Sequence, residues 1–208
     1  MLTLNRIHKT VAISIVTWNS ENEIGECLES LSDLPENWKI WVVDNNSSDQ
    51  TVEIVKKEFP EVELIANKDN RGFAAANNQV IAETNTDYVM LLNPDTVSEK
   101  QDFLKLLEII EENPKIGILG PQLHDGNGEI QVICDFFPYP MKNFIEAMGI
   151  YRFFSKEWRV QNLLGMFFDH KSDRKVEWMV GACMLVRREA IEKAGNVPED
   201  YFMFAEAM

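Results

Sequence analysis

The stretch "YVMLLNPDT", residues 88–96, decides how the rest of the chain is understood. Five mostly apolar residues, Tyr88 to Leu92, have the length and composition of a buried strand. They run directly into Asn93-Pro94-Asp95, and all three are turn formers. Alone, this is a strand that ends in a turn. The same pattern recurs upstream. "VAISIV" (11–16) leads into Thr17-Trp18-Asn19, "KIWVVD" (39–44) ends on Asp44 before Asn45-Asn46, and "VELIA" (62–66) leads into the polar residues Asn67 to Gly72. Each is a short apolar run that stops on side chains able to bind something.

Between these runs the period changes to that of a helix. Ile24, Cys27, Leu28 and Leu31 fall at i, i+3, i+4 and i+7, and Ser20-x-x-Glu23 predicts a capping box ahead of them. Val52, Val55 and Phe59 share a face, with Ser48 or Asp49 as the expected N-cap and Pro60 as the stop. Helices are expected from about Phe73 to Glu83 and from Glu99 to Glu112, the latter with Phe103, Leu106, Leu107 and Ile110 inward. A fifth short strand is expected at "IGILG" (116–120). Strands alternating with helices indicate βαβ units and a mainly parallel sheet. Ligands of such sheets sit beyond the C-terminal strand ends, so the four polar loops should converge on one rim. After Gly120 the pattern differs: "DGNG" (125–128) predicts a hairpin-type turn, "VEWMVGACMLVRR" (176–188) a strand, and Glu189–Ala194 a short helix closed by Gly195.

The bulk composition narrows the function classes. The chain has 208 residues and a net charge of −14, and 45% of it is hydrophobic. The charge disfavours non-specific binding to nucleic acid. It also means that a phosphate ligand needs local help from a helix N-terminus, an arginine or a metal. Cys27, Cys134 and Cys183 are scattered, with no metal-ligand spacing, as in a reducing compartment. No apolar run reaches the roughly 18 residues of a membrane span, and "MLTLNRIHKT" lacks a core of signal-peptide length. Residues 136–175 hold seven Lys or Arg and four acids, a net +3 that leaves −17 elsewhere, and also ten of the 21 aromatics. That composition suits an anionic lipid surface as well as it suits a core helix pair with a solvated basic face. His8, His124 and His170 belong to no motif and are expected at the surface or in loops.

Several common motifs are missing. No G-x-G-x-x-G follows the first strand, and no G-x-x-x-x-G-K, H-E-x-x-H or G-x-S-x-G occurs. Five segments in order do resemble one family: "VAISIVTWNSENEIGECLESL" (11–31), "IWVVDNNSSDQT" (40–51), "NKDNRGFAAANNQVI" (67–81), "YVMLLNPDT" (88–96) and "VGACMLVRREAIEKAGNVPEDYFMFAE" (180–206). They resemble the family 2 glycosyltransferases, and the N-P-D form with G-F-A-x-A-N-N resembles the rhamnosyltransferase-like branch. The resemblance implies an α/β protein with the GT-A nucleotide-diphospho-sugar transferase fold: a mainly parallel central sheet flanked by helices, Rossmann-like. It implies a single domain over 1–208, with a donor-binding half at about 10–120 and an acceptor-side half at about 121–208, truncated at its C-terminus.

The resemblance also assigns roles. Asp95 matches the last aspartate of the family's D-x-D motif and becomes the candidate ligand of a Mg²⁺ or Mn²⁺ ion. Asn93 stands at the first aspartate, where it can hydrogen-bond a ribose or sugar hydroxyl without adding charge. Asp44 would read the nucleobase, with Asn46 beside it in the same loop, and Thr17 and Asn19 match the first nucleotide-contacting loop. A carboxylate can accept from uracil, thymine or guanine alike, so UDP-, dTDP- and GDP-linked donors all stay open. In the Asn70-Arg71-Gly72 loop, Arg71 could neutralise phosphate, and Gly72 permits close approach at a helix start. Asn77 matches an asparagine near the donor sugar, although a polar helix face explains it almost equally. The family's terminal E-D pair supplies the base of an inverting transfer. Here Glu206 matches the glutamate, Ala207 stands at the aspartate and Met208 ends the chain. Either the sequence is a fragment that keeps the donor half, or Glu206 serves as base from a neighbouring position. The expected activity is transfer of a hexose such as rhamnose to a glycan or lipid-linked glycan in polysaccharide synthesis, in the cytoplasm or at the inner membrane face. A catalytically impaired remnant and a sugar nucleotidyltransferase are the alternatives.

Overall fold

A computed structural model describes residues 8–200, and the expected base Glu206 lies outside that range. The chain divides into two compact units. Of the described residues, one contains 8–121 and 181–200, and the other is Gln122–Val180.

The first unit is built on a six-stranded sheet. In chain order its elements are β1 (Val11–Thr17), α1 (Ile24–Ser30), β2 (Trp38–Asp44), α2 (Thr51–Glu58), β3 (Glu63–Ala66), α3 (Gly72–Glu83), β4 (Tyr88–Leu92), α4 (Lys100–Glu112) and β5 (Ile118–Leu119). Two further elements belong to it, β8 (Cys183–Arg187) and α7 (Arg188–Ala194). The strand order is β3-β2-β1-β4-β8-β5. The pairs β1–β2, β1–β4 and β2–β3 are parallel, while β8 runs antiparallel to both β4 and β5. The mainly parallel sheet anticipated from the sequence is therefore present, with one reversed strand near its edge.

Side chains alternate across the sheet, as the strand period requires. Ala12 and Val43 pack with Ala76 and Val80 of α3, and Val16, Trp41 and Ile65 border them. Val11, Ile13 and Ile15 are fully buried at the alternate positions of β1. Helix α4 buries Phe103, Leu106, Leu107 and Ile110, the face read from its sequence. It starts with a capping box in which Glu99 and Asp102 satisfy each other's backbone N–H. At the end of β8, two successive arginines cap two helices. Arg187 donates to the carbonyls of Ile110 (2.6 Å) and Ile116 (3.1 Å), and Arg188 donates to those of Ile81 (2.9 Å) and Thr86 (3.2 Å). Both satisfy carbonyls that the last helical turns leave open.

Three sequence-based expectations fail here. The Ser20–Glu23 capping box does not form: α1 begins at Ile24 with Glu23 as its N-cap and no side-chain cap. The Ser20 N–H is instead donated to the Thr51 hydroxyl (2.8 Å), and its carbonyl accepts from Glu23 and Ile24 in a preceding turn. The N-cap of α2 is Gln50, with no side-chain cap bond, and not Ser48 or Asp49; Asp49 instead accepts from the Thr51 N–H at 3.0 Å in the turn before the helix. The single strand expected over 176–188 is two strands. Trp178–Met179 pairs in a separate small sheet, and only Cys183–Arg187 joins the large one.

The second unit contains β6 (Cys134–Asp135), α5 (Pro140–Ala147), a 3-10 turn Ile150–Phe153, α6 (Lys156–Asn162), a second 3-10 turn Gly165–Phe167, and β7 (Trp178–Met179). β6 and β7 form a two-stranded antiparallel ladder. Trp178 donates its ring N–H to the carbonyl of Phe136 (3.2 Å), and Glu177 accepts the N–H of Phe137 (2.7 Å). Gly165 lies against Asp135: a Cβ there would sit 2.9 Å from a carboxylate oxygen, so only glycine fits. The expected turn at 125–128 forms, with Gly128 at φ +80° donating to the Asp125 carbonyl at 2.9 Å.

Candidate functional site

The polar residues that follow the strands do gather at one rim of the first unit. The parallel register sets Thr17 opposite Asp44 and Asp44 opposite Ala66, so the ends of β1, β2 and β3 are level. Backbone bonds carry the ladder one residue further. Asn45 N–H donates to the Thr17 carbonyl (2.8 Å), and Asn67 N–H donates to the Asp44 carbonyl (2.9 Å). On the other flank, Asn93 N–H donates to the Ala182 carbonyl (2.8 Å) just past the β4–β8 pairing.

Asp44 is only 2% exposed. Its carboxylate accepts from the Thr17 hydroxyl (3.0 Å), the Ser47 hydroxyl (2.5 Å) and the Ser47 N–H (2.9 Å). Oδ1 takes both hydroxyls and Oδ2 takes the N–H, which leaves one acceptor position on Oδ2. Ser47 was not singled out from the sequence. Its signal is the three-residue spacing from an aspartate, the pattern of a local side-chain-to-backbone turn.

Two asparagines at this edge adopt left-handed backbone: Asn19 (φ 53°) and Asn46 (φ 63°). Asparagine tolerates that region better than most residues. The Asn19 side chain accepts from the Ser48 N–H (2.8 Å), and its own N–H goes to the Ser47 hydroxyl (2.8 Å), so the two loops are stitched together. Asn46 is exposed. Its neighbour Asn45 is buried and donates to the Gly72 carbonyl (3.1 Å), which joins the end of β2 to the start of α3. Asn67 extends that junction by pairing reciprocally with Gln79 at 2.9 and 3.0 Å.

At the start of α3, Gly72 has φ +80°, which a side chain would strain. Its N–H is taken by the Asn70 side chain (2.9 Å), so that amide is not free for an anion. Arg71 is exposed beside it. Asn77 proves to be a core residue. It is fully buried, accepts from the Ser14 hydroxyl at 2.7 Å and donates to the Phe73 carbonyl at 3.0 Å. Asn78 does something the sequence did not suggest. It accepts from the Val197 N–H (3.0 Å) and donates to the Val197 carbonyl (2.9 Å) and to Glu199 (2.7 Å). It thereby holds the segment that leads toward Glu206.

Asn93 is half-buried and Asp95 is exposed. The turn is closed by backbone, Thr96 N–H to the Asn93 carbonyl (3.2 Å). Among the described residues the Asp95 carboxylate accepts no hydrogen bond, so the turn does not consume it. Beneath lies buried Cys27, whose thiol is 3.8 Å from the Asn93 carbonyl. Burial pushes that thiol up to about 12, with the Asp95 carboxylate and Cys183 adding to it. No group of three or more His, Cys, Asp or Glu that could hold a metal exists among the described residues. One exposed carboxylate suits Mg²⁺ or Mn²⁺ shared with substrate phosphates, since such ions often take only one or two carboxylates. His124 is exposed and bonded within its own turn, while half-buried His170 meets the Phe168 carbonyl (2.9 Å) and the Cys134 thiol (3.6 Å).

This mainly parallel sheet flanked by helices, with its polar loops gathered beyond the strand ends, is consistent with the GT-A fold expected from the sequence. The solved structures that it matches agree. S. aureus TarS superposes with a TM-score of 0.62 at 19% identity, over 95% of this chain and 52% of that one. The mannosyltransferase PcManGT from Pyrobaculum calidifontis, in complex with GDP-Man and Mn²⁺, superposes with 0.60 at 17%, over 92% of this chain and 48% of that one. The chain belongs to glycosyl transferase family 2, whose model matches residues 12–195. It is 28% identical over 207 residues to the N-acetylglucosaminyl-diphospho-decaprenol L-rhamnosyltransferase of Mycobacterium tuberculosis. That alignment covers 92% of this chain and 66% of the relative, so the chain spans just under two thirds of that relative's length.

Proposed function

We propose that this chain binds a nucleoside-diphosphate sugar at the rim formed by β1, β2, α3 and β4, and transfers the sugar with inversion to a glycan or lipid-linked glycan acceptor. The observation that carries this is Asp95: an exposed carboxylate at the end of β4, free of turn hydrogen bonds among the described residues. Family membership supports the reaction class and replaces the nucleotidyltransferase alternative.

In this account Asp44 uses its remaining Oδ2 position for a base N–H, in a wall that Thr17 and Asn19 hold rigid. Asn46, Asn70, Arg71 and Gly72 border the ribose and diphosphate, and Asn93 meets a ribose or sugar hydroxyl. Asp95 would hold a Mg²⁺ or Mn²⁺ that, when bound, neutralises charge on the leaving diphosphate. Asn77 acts only through packing, by tying α3 to β1. Glu206, outside the described residues, remains the candidate base by its match to the family motif. The mycobacterial relative's name suggests rhamnose as the sugar and a polyprenyl-diphosphate-linked sugar as the acceptor. An enzyme with such an acceptor would work at the cytoplasmic membrane face in cell-surface polysaccharide synthesis. No helix among the described residues is long and apolar enough to cross a membrane.

Titration of UDP, dTDP and GDP into the protein with Mn²⁺ tests the donor site. Saturable binding of at least one is expected, and binding of none overturns the proposal. Release of nucleotide from a matching sugar donor then separates an active enzyme from a binding remnant.

A further inference from the structure

Helix α5 is inside out. The only residue of Pro140–Ala147 that it buries is a lysine. Lys142 is 4% exposed, with its ammonium 2.7 Å from Asp135 and 3.5 Å from Glu146. Ile145 is half-buried on the Lys142 side, but three larger apolar side chains are turned to solvent: Met141 is 64% exposed, Phe144 55% and Met148 65%. Their spacing, i, i+3 and i+7, makes one continuous stripe. After Gly149 (φ 66°) the chain turns into Ile150–Phe153, which packs on α5 and ends at Phe153, 89% exposed. A soluble helix places its apolar stripe inward and its lysines outward. The reverse arrangement marks a face made for another medium or a partner.

The concentration of such side chains points the same way. Of the fourteen large hydrophobic residues exposed in the described chain, eleven belong to the second unit, which is the smaller one. Charge selects among occupants. Arg152 and Lys156 are exposed next to Phe153 and Phe154, within the stretch 136–175 that carries a net +3. Cations flanking exposed Phe and Met are the composition of a helix that lies in a bilayer interface beside anionic headgroups.

We propose that the outer face of α5, with Met141, Phe144, Met148 and Phe153 as its inserting side chains and Arg152 and Lys156 as headgroup contacts, docks the protein on an anionic lipid surface. Its purpose rests on the lipid-linked acceptor proposed above, while the docking itself is inferred from this face alone. Lys142 then serves to turn the helix: its burial against Asp135 leaves the apolar stripe no inward position.

The test is co-sedimentation of the whole chain with phosphatidylglycerol–phosphatidylcholine vesicles and with phosphatidylcholine alone. Binding to the anionic vesicles at low salt is expected, weakening as salt rises. Met141→Ser/Phe144→Ser/Met148→Ser should lower it roughly tenfold or more, and Arg152→Glu/Lys156→Glu should remove its salt dependence. All five substituted side chains are exposed, and circular dichroism verifies that each variant folds. No binding by the parent chain, or binding that the triple variant leaves unchanged, overturns the proposal. So does a dimer in sedimentation velocity that the triple variant abolishes and vesicles do not compete away, since the face then meets a second copy. Nucleotide titration of the same protein is independent, so failure of the docking and failure of the donor site are told apart.

Discussion

Thr17 and Asp44 stand directly opposite each other at the ends of two parallel strands, and the threonine hydroxyl donates to the aspartate at 3.0 Å. The carboxylate is thereby fixed by the sheet itself, with Ser47 holding it from the loop side. Asp44→Ala leaves three buried or half-buried donors without a partner and should cost about 1–3 kcal/mol of stability. Thr17→Val removes one bond and should cost about 0.5–1.5 kcal/mol. Urea unfolding measures both. If Asp44 reads the base, Asp44→Asn should also flatten the preference among UDP, dTDP and GDP, and an unchanged preference would remove it from that role.

Asn78 grips both the N–H and the carbonyl of Val197 across 119 residues of chain. Asn78→Ala should expose the Val197 amide, with hydrogen exchange there accelerating about five- to thirty-fold for the roughly 1–2 kcal/mol that the pairing contributes. Exchange in β1 and β4 should change much less. If Val197 exchanges as in the parent, this contact does not anchor the segment.

Cys27 and Cys183 are both held as neutral thiols, pushed from 9.0 up to about 12 by burial first, with nearby carboxylates adding to it. A raised folded-state value gives stability that is complete below the unfolded value and is lost as pH rises. The native state should therefore weaken between about pH 9 and 12. At pH 8 a thiol reagent should leave both native cysteines unmodified and react with them only on unfolding. Rapid labelling of either in the folded protein would contradict their burial.

On the acid side, burial tends to raise Asp87, but hydrogen bonds from the Thr10 N–H, Lys9 and the Thr10 hydroxyl outweigh it and hold the carboxyl below its ordinary value. The stability that this supplies is present above the unfolded carboxyl value and disappears as pH falls through the lower folded one. Because the group is partly exposed, its removal in Asp87→Ala should cost only about 1 kcal/mol at pH 7. The variant should also show a shallower acid transition. An acid transition identical to the parent's would exclude Asp87 as a contributor.

The elements that were legible in the sequence are those whose periodicity is local. β4 is Tyr88–Leu92 as quoted, and α4 buries the four residues that its spacing selects. What was not legible depends on tertiary partners. Within the 176–188 run, residues 178–186 carry no charged or polar side chain to interrupt them, and nothing in the period shows that the run serves two different sheets. Ser20 has the spacing of a cap, but the Thr51 hydroxyl takes its N–H. Asn77 has a polar side chain on a helix and meets Ser14 in the core, a contact set by how α3 lies on β1. Lys142 would be assigned to solvent on composition alone, and only its ion pair with Asp135 reveals that α5 faces the other way. At the rim, the strand-end residues were found because a parallel sheet must bring its C-terminal ends together. Ser47 carries only the local spacing of a turn from Asp44, whereas Asn45 and Asn78, which support that rim or grip the chain beyond it, do so through bonds that no motif records.

The most direct test of the donor site is calorimetric titration of the nucleoside diphosphate that binds best, with and without Mn²⁺, on the parent chain and on Asp95→Ala. Asp95 is exposed and unused by its turn, so the substitution should leave the fold intact. The account predicts binding that Mn²⁺ strengthens at least about tenfold and an Asp95→Ala variant that has lost that gain. Binding that is indifferent to Mn²⁺ and unchanged in the variant would contradict it.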